Sequence, residues 1–343
     1  MGWYIMTKYF VGLDIHKEEI QGCVINDQGE VISNQRFLNT TKALDYFLEK
    51  QDKDTAFVME ACGMYEPIYD RIEEQGYEVT LAHPLKVKAI AYSKKKTDEI
   101  DAKILADLLR VKLIPESYVP PKHVRFRRSI IRNRTYLVRQ RSNLKHHTHS
   151  ILLKNGIKAK YTDIFGKGGM EWLTKIELPY ADRLALDNIL SIVNTFNQKI
   201  ELSDDLINGI VKNDKQVNKL LTIPGIGNYL ALLITSEIDD VKRFRTAKKL
   251  CAYVGIVPAV YQSGNTTKIG SITKLGSSLV RWGLVEAAQR AIVSDKHFKE
   301  MFEKLEKRKG RQKAIVAIAR KMLTYIYIML TNNIDYEVLV VNK

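Results

Sequence analysis

The chain has 343 residues and a formal net charge of +15 at neutral pH. An apolar share of 45% fits a protein with buried cores, and three scattered cysteines with no CxxC pair exclude a disulfide-stapled domain and a cysteine zinc site. A pI near 9.5 points to a polyanionic partner, because Lys and Arg neutralise phosphate charge.

The first hundred residues alternate strand and helix signals. Tyr9–Ile15, Ile20–Asn26 and Val31–Leu38 read as three strands of a meander, with a turn at Asp27-Gln28-Gly29-Glu30. The residues ahead of Tyr9 read as an alternative start. Thr41 is placed to cap a helix running to about Lys50, and Thr55–Met59 reads as a buried strand. A helix over Pro67–Gln75, stopped by Gly76, leads to a strand at Tyr77–Ala82, closed by His83-Pro84. Three strands, a helix, a strand, a helix and a strand is the order of an RNase H-like mixed sheet, an analogy of topology that does not by itself give a function. After Ser93-Lys94-Lys95-Lys96, Thr97 can cap a helix running to about Lys112. An α/β domain over residues 1–116 is expected.

Residues 117–162 contain no Asp or Glu and twelve Lys or Arg, among them Arg125, Arg127, Arg128, Arg132, Arg134, Arg139, Arg141 and Lys145. Val124, Ile130, Ile131, Leu137, Leu144 and Ile151 recur at helical spacing, so a long basic helix is expected. A solvated helix face usually mixes signs; this one does not, and it reads as a nucleic-acid backbone contact. Leu184, Ile189, Ile192, Val193, Phe196 and Ile200 predict a second long amphipathic helix, suited equally to core packing or to a short coiled coil in a dimer. Residues 117–216 are expected to form a helical link. Residues 217–343 read as a mostly helical domain with a Gly/Ser-rich insert at Ser263–Ser278. Neither Trp3–Met6 nor the apolar stretch Met322–Leu330 reads as a signal peptide or membrane span, so a cytosolic protein is expected.

Asp14 lies inside an apolar strand and Glu60 ends another. A carboxylate is costly there unless it is paired or binds metal. Asp98 and Asp101 share one face of a helix start. Four converging carboxylates repel one another, and hard divalent cations, Mg²⁺ or Mn²⁺, relieve that repulsion. Two such ions suit phosphodiester cleavage. Taken singly, Asp98 can also serve the helix N-terminus and Asp101 can be a solvated residue.

In the last domain, Ile223-Pro224-Gly225-Ile226-Gly227 precedes an apolar helix and resembles the hairpin of a helix-hairpin-helix unit. Its glycines let backbone amides approach phosphate, although a tight turn without ligand accounts for them equally well. Ser263, in a Gly-containing segment followed by Lys268, Lys274 and Arg281, has the chemistry of a nucleophile on phosphate, but Ser-Gly is also common in turns.

Six segments, VGLDIHK, VMEACGMY, KTDEIDAKILADLL, LLTIPGIG, LCAYVGIVPAVYQSG and ITKLGSSLVRWGL, occur in order over nearly the whole chain. With them the chain resembles the bacterial insertion-sequence transposases with a DEDD motif, the IS one-ten family. The resemblance implies a RuvC-like first domain whose acidic positions fall on Asp14, Glu60, Asp98 and Asp101. It further implies a serine nucleophile at Ser263 in the last domain, supplied to a composite site on assembly. It also implies action on DNA as a homo-oligomer in the bacterial cytoplasm, and in some members direction by a non-coding bridge RNA. One position departs from the pattern: the asparagine or histidine often found after the late glycine is Ser277 here. Two other readings compete. One is a Holliday-junction-type Mg²⁺-dependent endonuclease using activated water. The other is a nucleic-acid-binding protein with an inactive nuclease fold, which four intact acidic positions argue against.

Overall fold

The computed structural model describes residues 8–91, 97–263 and 266–341. The chain divides into two compact units, 1–119 and 120–343. Residues 117–216, expected as a link, fall almost wholly in the second. The Ser93–Lys96 run and Gly264–Asn265 lie outside the described residues, as does the side chain of Ser263.

In the first unit β1 (Tyr9–Ile15), β2 (Glu19–Asn26) and β3 (Val31–Leu38) form the meander. Helix α1 (Thr41–Glu49) leads to β4 (Thr55–Glu60), and α2 (Tyr65–Glu74) leads to β5 (Glu78–Ala82). The order across the sheet is β3-β2-β1-β4-β5, with the meander antiparallel and β1, β4 and β5 mutually parallel. This mixed five-stranded sheet is consistent with the RNase H-like order expected from the sequence. Two helix starts differ from the sequence reading. The α1 cap is Thr40, whose hydroxyl accepts the Ala43 amide at 3.3 Å, so Thr41 is the first helical residue. Helix α2 starts two residues before Pro67, because a proline in the first turn removes only an amide that would be orphaned anyway. Helix α3 (Pro84–Ile90), not anticipated, starts on Pro84 for the same reason. Thr97 does cap α4 (Asp98–Arg110), accepting the Ile100 amide.

Alternation along β1 sorts its two faces. Val11, Leu13 and Ile15 enter the larger core with Leu44, Phe47 and Leu48 of α1, Phe57 and Met59 of β4, and Ile68 and Ile72 of α2. Gly12, Asp14 and His16 occupy the other face. There α4 crosses the sheet, and Ala102 and Ala106 pack with Phe10, Cys23 and Ile25. The crossing is close because residue 12 has no side chain: a Cβ on Gly12 would lie 2.0 Å from the Ala102 carbonyl oxygen.

The second unit opens with two 33-residue helices, α5 (Lys122–Lys154) and α7 (Tyr180–Lys212), with α6 (Lys167–Lys175) between them. Ile131 shares a core with Ile207 and Val211, whereas Ile151 and Leu152 share one with Leu186 and Leu190. The two long helices therefore run antiparallel. Then follow α8 (Lys215–Leu220), α9 (Asn228–Ile238) and α10 (Ala247–Val254). After the hairpin of β6 (Pro258–Ser263) and β7 (Thr266–Ile272) come α11 (Ser278–Ser294), α12 (Lys296–Lys309), α13 (Arg311–Asn332) and α14 (Tyr336–Val341). About half of the expected Gly/Ser insert is thus strand: β7, with the strand formers Thr266, Thr267 and Ile269, pairs with β6, which lies almost wholly ahead of the insert. Helix α13 is longer than the apolar stretch read from the sequence and is long and apolar enough to cross a membrane. Its Ala314, Ile318, Ala319, Met322, Leu323, Ile326 and Met329 are buried in the core of this unit, which accounts for that apolarity by packing.

Candidate active site

Strand β1 carries Asp14 on the face crossed by α4, and His16 lies one residue past the strand's end, within hydrogen-bond distance of Asp14. Strand β4 carries Glu60 one residue beyond the last paired positions, Leu13 with Met59, so Asp14 and Glu60 sit at the same end of adjacent parallel strands. Phe57 and Met59 point into the larger core and Val58 packs with Leu105 of α4, so alternation puts Glu60 on the α4 face too. On α4, Asp98 and Asp101 continue the stripe of Ala102, Leu105 and Ala106 that lies on the sheet. The four carboxylates thus share one face, at the end of the sheet where α4 begins.

The distances single out a tighter group. The ligand atoms of Asp14, His16 and Asp98 all lie within 4.8 Å of one another. His16 Nε2 is 3.2 Å from Asp14 Oδ2 and 3.3 Å from Asp98 Oδ1. Arg36, on β3, donates to Asp98 Oδ2 at 2.9 Å and to Glu19 Oε2 at 3.2 Å. The buried Gln21, opposite Asp14 in the β1–β2 register, accepts from Arg36 Nε at 3.4 Å and donates to Asn34 Oδ1 at 2.7 Å. Burial pushes the Asp14 carboxyl above the usual carboxylate range. His16 opposes this, and the negative charges of Asp98 and Asp101 add to it. The donor set, carboxylates with one imidazole, fits a divalent cation.

His16 and Arg36 were not singled out from the sequence. A signal for His16 was present: a strand puts residues 14 and 16 on one face, so a histidine two places after a strand carboxylate is its neighbour. Arg36, on an edge strand of mostly exposed residues, offers no such signal.

Residues 11–155 match the DEDD transposase family model of the IS110 type, and residues 217–303 match the transposase IS116/IS110/IS902 family. The chain belongs to the IS110 family of transposases. It is 25% identical to the transposase for insertion sequence element IS1111A of Coxiella burnetii, over 95% of this chain and 91% of that protein. It is 26% identical to a probable family 20 transposase of Pseudomonas aeruginosa, over 95% and 98%. It is 28% identical to the pilin gene-inverting protein of Moraxella lacunata, over 97% and 98%. The protein is a DNA transposase, its partner is DNA, and membership of the DEDD family implies dependence on a divalent metal.

The arginines of α5 in this transposase fall into two groups. Arg127 pairs with Asp214 at 2.7 Å. Arg134 makes a two-pronged contact with Asp204, the second prong at 3.1 Å, and lies over the Tyr229 ring. Arg141 donates to Asn197 at 2.8 Å, and Arg128 donates to the carbonyls of Ser236 and Glu237 at the end of α9. Lys145 lies over the Phe165 ring, and burial lowers its ammonium pKa from the ordinary lysine value, with Arg141 adding to the effect. Arg125 is half-buried. Arg132 and Arg139 are exposed. Much of the unbroken positive run is thus answered by groups on α7, on α9 and at the cap of α8. Arg134→Gln is expected to destabilise the second unit by about 1 kcal/mol, modest because the pair is partly exposed, read as a lower denaturation midpoint in urea.

At the glycine turn before α9, Gly225 has φ +88, and a Cβ there would lie 2.4 Å from the Ala287 carbonyl oxygen, so packing against α11 requires this glycine. Gly227 is the N-cap of α9 without a side-chain cap, and an added Cβ there meets nothing within 4 Å. Lys268 and Lys274 are exposed on and after β7. Arg281 donates to the carbonyls of Val254, Leu275 and Gly276 and so brackets the turn ahead of α11. The backbone of Ser263 ends β6, paired with Thr266. Ser277, where the family often has asparagine or histidine, caps α11 by accepting the Val280 amide at 3.4 Å, a role serine fills as well as asparagine.

Proposed function

We propose that this transposase excises and integrates its insertion sequence by divalent-metal-dependent cleavage and rejoining of DNA strands, with Ser263 as the nucleophile. The observation that carries the metal half is the convergence of Asp14, from β1, and Asp98, from α4, on His16 within 4.8 Å. Asp14, Glu60, Asp98 and Asp101 would hold Mg²⁺ or Mn²⁺, joined or oriented by His16. When bound, the metal supplies charge neutralisation for the phosphodiester at cleavage. Arg36 holds Asp98 and Glu19 in place, and Gln21 fixes Arg36.

The serine half rests on the family resemblance. The Ser263 oxygen would form a bond to phosphorus as the bond to one deoxyribose oxygen breaks, and that oxygen leaves as a hydroxyl. The phosphoserine link conserves bond energy for rejoining, which suits a recombinase. Trapping on a suicide substrate is expected to give a covalent protein–DNA adduct that Ser263→Ala abolishes. Clean hydrolysis with no adduct would instead establish an endonuclease using activated water.

The same reading has the protein working as a dimer or tetramer in the bacterial cytoplasm, with a structured bridge RNA as guide. The exposed Arg132 and Arg139, with Lys268 and Lys274, supply positive charge for either nucleic acid.

A further inference from the structure

A cavity of about 480 Å³ opens between α5, the end of α9 and the start of α11. Its wall includes Arg132 and Arg139 of α5, Ser236 and Glu237 of α9, and Ser277 and Ser278 at the start of α11. Three observations give it a sign. Arg132 and Arg139 bring two guanidinium groups to its edge. Helix α11 is 17 residues long, and its cap leaves the amides of Ser278 and Leu279 with no intrahelical partner, the usual donors of an anion site. The third is Ser236. Helical serines here habitually donate to the carbonyl four residues back, as Ser142, Ser203 and Ser294 do. Ser236 is only 2% exposed, yet its hydroxyl has no hydrogen-bond partner among the described residues. An unpartnered buried hydroxyl is a cost to the fold, and Ser236 is one of the residues that line this cavity.

We propose that this cavity seats a phosphodiester group of a nucleic-acid strand. Arg132 and Arg139 pair with the phosphate oxygens, and the Ser236 hydroxyl and the first amides of α11 donate to the strand. The assignment rests on the reading of the protein as a nucleic-acid enzyme and adds a defined seat to it. Arg128 also lines the cavity: its Nε and Nη2 donate to the Ser236 and Glu237 carbonyls, which ties its charge to the end of α9. Glu237 brings a carboxylate to the wall, and the Tyr253 hydroxyl donates to it at 3.5 Å. Its charge opposes the phosphate.

The test uses the full-length protein in chelator, so that binding is measured without cutting. The probes are inorganic phosphate, a short labelled single-stranded DNA and the RNA of the same sequence. Phosphate is expected to raise the Tm of the parent. It should not raise the Tm of Ser236→Ala or of Arg132→Gln/Arg139→Gln. Without phosphate, Ser236→Ala should melt at the parent's temperature or above, since it removes an unpartnered buried hydroxyl. The double arginine variant is expected to bind the preferred strand at least about tenfold more weakly, with the slope of log affinity against log salt shallower by about one or more. Glu237→Gln should bind that strand more tightly. Whichever of DNA and RNA loses affinity in the variants is the strand that the cavity seats. Unchanged strand affinity and slope in both variants overturn the proposal while leaving the wider reading intact. Loss of the phosphate effect alone makes this a free-anion site and likewise overturns it. A parent that binds neither strand overturns the wider reading, and the strand assignment with it.

Discussion

Asp14→Asn is expected to lower excision and integration by at least about a thousandfold while the protein stays folded, a loss of about 4 kcal/mol of transition-state stabilisation. Asparagine keeps the shape of the side chain and removes the charge. Asp14 is the residue through which the whole group is coupled, because it touches His16 and feels both Asp98 and Asp101. The stability readout has the opposite sign. Burial raises the Asp14 pKa on folding, so its ionised form costs the metal-free fold something at neutral pH. Below the ordinary carboxylate value, folded and unfolded chains both carry the proton and the cost vanishes. Above the raised value it is complete. Asp14→Asn removes it, so without metal the variant should melt at the parent's temperature or above. Adding Mg²⁺ or Mn²⁺ should raise the parent's Tm by linkage and leave the variant's unmoved. An active Asp14→Asn, or a variant still stabilised by metal, would remove Asp14 from the site.

Gly12→Ala should disable the same site without touching any of its ligands. The added methyl would stand 2.0 Å from the Ala102 carbonyl oxygen and 2.7 Å from the Ala106 nitrogen, both backbone atoms of α4. No rotamer relieves such a clash, so the helix must lift or the strand must bow. Overpacking of this kind costs about 3 kcal/mol. Helix α4 carries Asp98 and Asp101 on the stripe that is displaced, so metal-dependent stabilisation and DNA cleavage should fall with stability. Urea denaturation of the full chain, with and without Mg²⁺, checks both. A variant as stable as the parent and still responsive to metal would show that the α4 crossing does not set the site.

The strands were readable because alternation and β-formers mark them, and β1 and β3 run over the expected residues. Asp14 and Glu60 stood out because a carboxylate on an apolar strand has few roles besides pairing or metal binding. His16 was missed although its place two residues after Asp14 was a signal, because it lies just past the end of β1. Strand β7 was read as part of an insert because glycine and serine masked a short run of strand formers. The basic helix differs in kind. Its own segment shows no acid, so its face looked wholly free. The groups that engage Arg127, Arg134 and Arg141 are Asp214, Asp204 and Asn197, more than fifty positions away. Local charge patterning cannot see a partner brought in by helix pairing. What survives of the positive face is narrower, and it is centred on Arg132 and Arg139.

The burial of α13 bears on how the protein is made. Residues 311–332 supply the middle of the second unit's core, and α8, α10, α11 and α12, which pack on them, are all translated earlier. Those helices must wait on the ribosome with their apolar faces uncovered until α13 emerges. The first unit is complete by residue 119 and can fold while the rest is still being synthesised. An element copy interrupted before codon 311 would therefore yield a folded acidic domain joined to helices that cannot close, a product for chaperones and proteases rather than for DNA.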